Sequence, residues 1–157
     1  VFALALVAAG LAAALAAAAL AVRAYTGRAQ DRLARSLLEA PGASFRLLTR
    51  AELCGPGRNR RFPGVVGLTD EAVAFHGVFG ETRTLPTDAI QKIVTGTRLA
   101  DGRTLLRREA LRLTRRGGEE IQFVLSRASA SAWRSHLGLW AVEARRAEMD
   151  VVTPGKR

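Results

Sequence analysis

Ala110-Leu111-Arg112-Leu113-Thr114-Arg115-Arg116-Gly117-Gly118-Glu119-Glu120-Ile121-Gln122-Phe123-Val124-Leu125-Ser126 alternates apolar and polar residues on either side of a glycine pair. Leu111 and Leu113 share one face of the first half, and Ile121, Phe123 and Leu125 share one face of the second. A period of two over such a run is the pattern of a half-buried strand. A glycine pair between two of them marks a tight hairpin. The chain therefore holds an antiparallel sheet with one apolar face.

Working back from this hairpin, the same texture extends to Phe62. Val65 to Leu68 and Ala72 to Phe75 flank Thr69-Asp70-Glu71, whose side chains suit a turn because they hydrogen-bond their own backbone. Gly77 to Gly80 makes another break before Glu81 to Leu85. Pro86, which cannot donate to a ladder, suits the end of that strand. Ile90, Ile93 and Val94 head a further strand, and Ala100-Asp101-Gly102-Arg103 is a turn. Leu85 and Ile93 are expected to pack the sheet interior. Phe45 to Leu53 reads equally as a helix or as a first strand. The turn-rich basic stretch Gly55 to Arg61 follows it, and a domain boundary is expected near that loop. Working forward, Trp133, Leu137, Trp140, Ala141 and Ala144 recur at helical spacing, with Ser129 or Ser131 placed to cap the start. Arg145-Arg146 lie near the far end, where cations suit the helix dipole. The two tryptophans are expected in the core.

At the other end of the chain, Val1 to Val22 contains no charged side chain. As a helix at 1.5 Å per residue it would reach roughly 33 Å, enough to cross a hydrocarbon core of about 30 Å. A membrane anchor is expected there, of moderate strength because alanine dominates it. A signal peptide is the rival reading, although its apolar region usually runs only about 7–15 residues. Arg23, Arg28, Arg32 and Arg35 follow at once, and the positive-inside tendency would hold them, with the remaining domain, on the cytoplasmic side. Thr26 to Ala40, ended by Pro41-Gly42, reads as a helix with Leu33, Leu37 and Leu38 on one side.

Gly64-Val65-Val66-Gly67-Leu68-Thr69-Asp70-Glu71-Ala72-Val73-Ala74-Phe75 and then Leu85-Pro86-Thr87-Asp88-Ala89-Ile90-Gln91-Lys92-Ile93 resemble bacterial pleckstrin-homology-like (PH-like) and GRAM-like domains. The paired strands over Leu111 to Leu125 and the tryptophan-bearing helix agree with that likeness, which covers roughly Phe62 to Ala144. The resemblance implies an α+β fold: a PH-like curved antiparallel sheet, or small β-barrel, capped by a C-terminal amphipathic helix. An oligonucleotide-binding barrel is the nearest competitor, and it normally lacks the closing helix. The expected organisation is an anchor at 1–22, a basic juxtamembrane helix and linker at 23–44, a PH-like domain at 45–148 and a tail at 149–157. The resemblance also implies a binding module for phosphorylated lipid headgroups, peptides or proteins. The usual lipid site of such domains uses basic residues between the first two strands. Here the corresponding hairpin is acidic, with Asp70 and Glu71 and no Lys or Arg, a departure that argues against specific phosphoinositide recognition.

With 24 Lys and Arg against 14 Asp and Glu, the formal net charge is +10, all of it beyond Val22. Such a surface attracts anionic lipid, nucleic acid or acidic proteins without choosing among them. Three basic clusters are the candidate lipid or partner contacts: Arg58, Arg60 and Arg61; Arg103, Arg107 and Arg108; Arg115 and Arg116. The alternative is that they are simply solvated. Nucleic acid is the weakest partner, because Phe62, Phe75, Phe79 and Phe123 are better explained as core than as stacking platforms. A membrane-protein partner is the second reading, since Ala3, Ala9, Gly10, Ala14 and Ala17-Ala18 allow close helix approach.

No catalytic residues stand out. His76 and His136 lack a nucleophile–carboxylate companion at a recognisable spacing, and Glu119 and Glu120 should point to opposite strand faces. The glycine pairs lack the lysine of a phosphate loop. Cys54 is the single cysteine, so neither an internal disulfide nor a cysteine zinc site is expected, and it reads as a small, partly buried apolar residue. No cofactor or metal is implied.

Overall fold

The computed structural model describes residues 2–42, 44–55 and 60–138. Helix α1 spans Phe2–Glu39 without interruption. The apolar segment and the basic segment are thus one rod, about 57 Å long at the helical rise. Seven strands follow: β1 Leu47–Cys54, β2 Arg61–Leu68, β3 Ala72–Gly77, β4 Thr82–Pro86, β5 Ile90–Gly96, β6 Arg108–Arg115 and β7 Glu120–Ser126. A short 3-10 turn, Thr87–Ala89, joins β4 to β5. Residues 127–138 form a closing helix, α2.

The strands make one antiparallel sheet in the order β4-β3-β2-β1-β7-β6-β5. Every neighbour but one is a sequential hairpin; the exception, β1 beside β7, curls the two ends of the chain together. The sheet has free edges at β4 and β5, so it is a half-barrel. A curved sheet closed by a C-terminal helix is the PH-like layout the resemblance implies.

The β6–β7 hairpin pairs Leu111 with Phe123 and Leu113 with Ile121, as the alternation requires. Gly117 and Gly118 both take positive φ, a conformation other residues adopt only with strain. The inner face buries Val66, Leu68, Phe75, Leu85, Leu111, Leu113, Phe123 and Leu125, with Ile93 partly buried against them. The Phe75 and Phe123 rings lie 5.7 Å apart in a tilted pair. Helix α2 closes this face with Ala130, Trp133 and Leu137.

Several expectations are corrected. The segment after Phe45 is a strand, and β1 lies at the centre of the sheet, paired along its length with β2. The boundary expected near the Gly55–Arg61 loop therefore falls inside the sheet. Helix α2 begins at residue 127, ahead of both expected caps. The Ser126 hydroxyl accepts the Ser129 backbone N–H at 3.1 Å, so the last residue of β7 does the capping. Phe79 is not core: it sits on the β3–β4 turn and is 66% exposed. Trp140, Ala141, Ala144, Arg145-Arg146 and the tail at 149–157 lie outside the described residues, as does Arg58.

The outer face of the sheet is covered in two places. Leu99 and Leu105, from the β5–β6 connection, bury Ala110 and Val124 there, with Cys54 partly buried against them. The basic half of α1 packs over β1 and β2. Val65, which strand alternation puts on that face, is fully buried.

Candidate membrane-facing site

Docking of α1 depends on a residue that carries no apolar signal. Gln30 is almost completely buried, and its Nε2 donates to the Ala51 carbonyl at 3.0 Å and to the Gly64 carbonyl at 2.8 Å. Ala51 and Gly64 face each other across β1 and β2, so one amide holds both strands. Arg50 Nε donates to Asp31 Oδ1 of the helix at 2.7 Å beside it. Of the three leucines on one side of this segment, Leu33 and Leu37 are half-buried and Leu38 is exposed. Arg23, Arg28, Arg32 and Arg35 are all exposed.

Among the described residues, one helix, counted over Ala9–Glu39, is long and apolar enough to cross a membrane, and none of its most apolar window is buried. Val7, Leu11, Leu15, Leu20 and Val22 are each well over half exposed. The first charged residue, Arg23, and the exposed Tyr25 follow directly.

The strand numbering changes the reading of the basic clusters. Thr69-Asp70-Glu71 joins β2 to β3, whereas the loop between β1 and β2 is the basic one, containing Arg60 and leading into Arg61. The apparent acidity of the first loop came from missing β1.

The structure sorts the candidate arginines by their partners. Arg61 and Arg108 meet on one carboxylate, that of Glu52, with Arg61 Nη1 at 3.4 Å from Oε2 and Arg108 bonded to Oε1. These two belong to different sequence clusters, and their charge is spent on holding β1, β2 and β6 together. Arg103 donates to Asp101 within its own turn. Arg115 lies 3.7 Å from Glu119 across the last hairpin. Arg60 lines a cleft at the end of the half-barrel with Arg83, Glu81, Glu119 and Glu120, so that end carries both signs of charge. Arg116 sits on the β6–β7 turn, at the opposite end of β6 from Arg108 and about 26 Å away at the strand rise.

Arg107 is different. It is exposed, has no carboxylate partner among the described residues, and lines a second cleft with Arg23, Thr26 and Gly27 of α1, Arg108 and Ser129. The β5–β6 connection is thus brought beside the point where α1 leaves its apolar segment. Sequence reasoning grouped Arg107 with Arg103 and Arg108 and had no means of placing it there. It missed Gln30 and Arg127 altogether, since an isolated polar residue in a helix carries no periodic signal.

The histidines occupy unremarkable positions. His136 is exposed on α2, with Nδ1 3.0 Å from the Ala132 carbonyl, and His76 is half-buried near the end of β3. Among the described residues there is no group of three or more His, Cys, Asp or Glu that could hold a metal ion. Burial pushes the Cys54 thiol above its usual range, and the nearby Arg61 pulls the other way. A raised value leaves less thiolate at any given pH. Alkylation of Cys54 at mildly alkaline pH should therefore be slower in the folded chain than in the unfolded one; equal rates would refute this.

No family model and no curated protein matches this chain. Among solved structures, the C-terminal domain of an unknown protein from Leishmania infantum superposes with a TM-score of 0.51 at 12% identity, covering 68% of this chain and 93% of that one. The pleckstrin homology (PH) domain of USP37 superposes with a TM-score of 0.44 at 14% identity, covering 59% of this chain and 93% of that one. At such identities the Leishmania likeness is one of fold alone.

Proposed function

We propose that this chain is a single-span membrane protein whose PH-like domain is a non-catalytic binding module, held on the cytoplasmic leaflet and contacting its anionic headgroups. The observation that carries this reading is the continuity of α1. The same helix whose most apolar window is bare is docked on the sheet farther along. Arg23 and Tyr25 stand at the junction, where a cation and an aromatic ring suit the headgroup region. A domain fixed to the emerging helix has no linker in which to drift away from the bilayer. Its contacts with lipid are then effectively intramolecular, so weak ones suffice.

Alkaline carbonate extraction of membranes containing the full chain tests the anchor. The chain should remain in the membrane pellet, as an integral span does. Release into the supernatant would mean that α1 does not cross the bilayer, and the proposal would fail.

A further inference from the structure

We infer that the base of the β5–β6 connection where it enters β6, Leu106 flanked by Arg107 and Arg127, is a second membrane contact that inserts into the anionic leaflet beside α1. The inference rests on the reading of α1 as the membrane anchor and specifies where the domain touches lipid.

The connection is built rather than loose. Arg98 and Thr104 form a β-bridge across it, and the Leu105 N–H donates to the Thr97 carbonyl at 2.7 Å. Leu99 and Leu105 are buried on the outer face of β6 and β7. With Leu105 fastened inward, its neighbour Leu106 is turned out and is 86% exposed. Arg127, the first residue of α2, donates from Nη2 to the Leu106 carbonyl at 3.0 Å, which fixes Leu106 from the other side.

An exposed leucine alone means little. Its position gives it meaning. Arg107, the next residue, shares a cleft with Arg23, the first charge after the apolar segment. Arg23 and Tyr25 mark the level of the headgroups, so Leu106 is held near that level on a rigid support. An exposed leucine flanked by two arginines suits this depth, with the leucine among acyl chains and the guanidinium groups among phosphates. Each arginine at an anionic surface favours docking about fivefold. Arg107 and Arg127 have no carboxylate partner among the described residues, so their charge remains available to the membrane.

The test uses the full chain, with Cys54→Ser, reconstituted into vesicles containing spin-labelled quencher lipids. An environment-sensitive fluorophore is placed singly by Leu106→Cys, Leu15→Cys or Leu38→Cys. Leu38 is also exposed but lies sixteen residues past Val22 on the same helix, about 24 Å along it. In phosphatidylglycerol-containing vesicles the label at 106 should be quenched by shallow quenchers and the label at 38 should not. In purely phosphatidylcholine vesicles the quenching at 106 should weaken. Quenching at 15 with none at 106 overturns the inference and leaves the anchor standing. Equal quenching at 106 in both lipids overturns it too. Absence of quenching at 15 sinks the anchor reading, and the inference with it.

Discussion

Replacing Trp133 with alanine should destabilise the domain by about 3–5 kcal/mol, the usual cost of deleting a large aromatic from a core. The indole is fully buried at the centre of the closing helix, against both arms of the curled sheet. Its Nε1–H donates to Thr49 Oγ1 on β1 at 2.8 Å, across 84 residues of chain. Loss of the ring would open the inner face where α2 meets β1 and leave Thr49 without its donor. Thermal unfolding of the domain in the detergent-solubilised full chain should fall by roughly 10–20 °C. Trp133→Phe keeps most of the apolar bulk and loses the hydrogen bond, so it should cost much less. If the alanine variant melted like the parent chain, α2 would not be closing the core.

The second large effect is expected at Gln30. Gln30→Ala removes two hydrogen bonds under the helix, while the Ala51 and Gly64 carbonyls keep their ladder pairing across β1 and β2. At about 1 kcal/mol per bond, the loss is on the order of 2 kcal/mol. It falls on the docking of α1 rather than on the sheet, whose ladder is independent of this side chain. A free helix of some seventeen residues with little apolar surface is marginal in water. Amide exchange over residues 26–37 should therefore accelerate by roughly thirtyfold or more, while β6 and β7 stay protected. Unchanged exchange over 26–37 would show that Gln30 does not hold the helix.

These two residues also show what the sequence makes legible. Trp133 was readable because it belongs to a periodic apolar stripe, and a stripe needs a surface to cover. The β6–β7 hairpin was readable because its alternation and its glycine pair say the same thing. Strand β1 was ambiguous because Leu47, Leu48 and Leu53 fit either period, and only its pairing on both sides decides the matter. That one ambiguity shifted the strand numbering and made the first loop look acidic. The docking of α1 was not legible at all. It uses a glutamine, two half-buried leucines and an arginine–aspartate pair, and a membrane-side helix of this composition reads as solvated.

The candidate arginines divide in the same way. Sequence clustering put Arg107 with Arg108, yet the structure binds Arg108 to Glu52 and leaves Arg107 open beside α1. Charge runs reveal how much charge a surface carries. They do not reveal which guanidinium groups already have a carboxylate, because partners such as Glu52 lie 56 residues away in the chain.

The most direct test of the rigid link between membrane and domain is a spin-label distance in the reconstituted full chain. With Cys54→Ser as background, labels at Leu20→Cys on the apolar half of α1 and Thr84→Cys on the edge strand β4 report the geometry of helix against sheet. One narrow distance distribution, broadened by Gln30→Ala, is the expected result. A broad distribution in the parent chain would contradict it, leaving the domain loosely tethered and free to tumble above the bilayer.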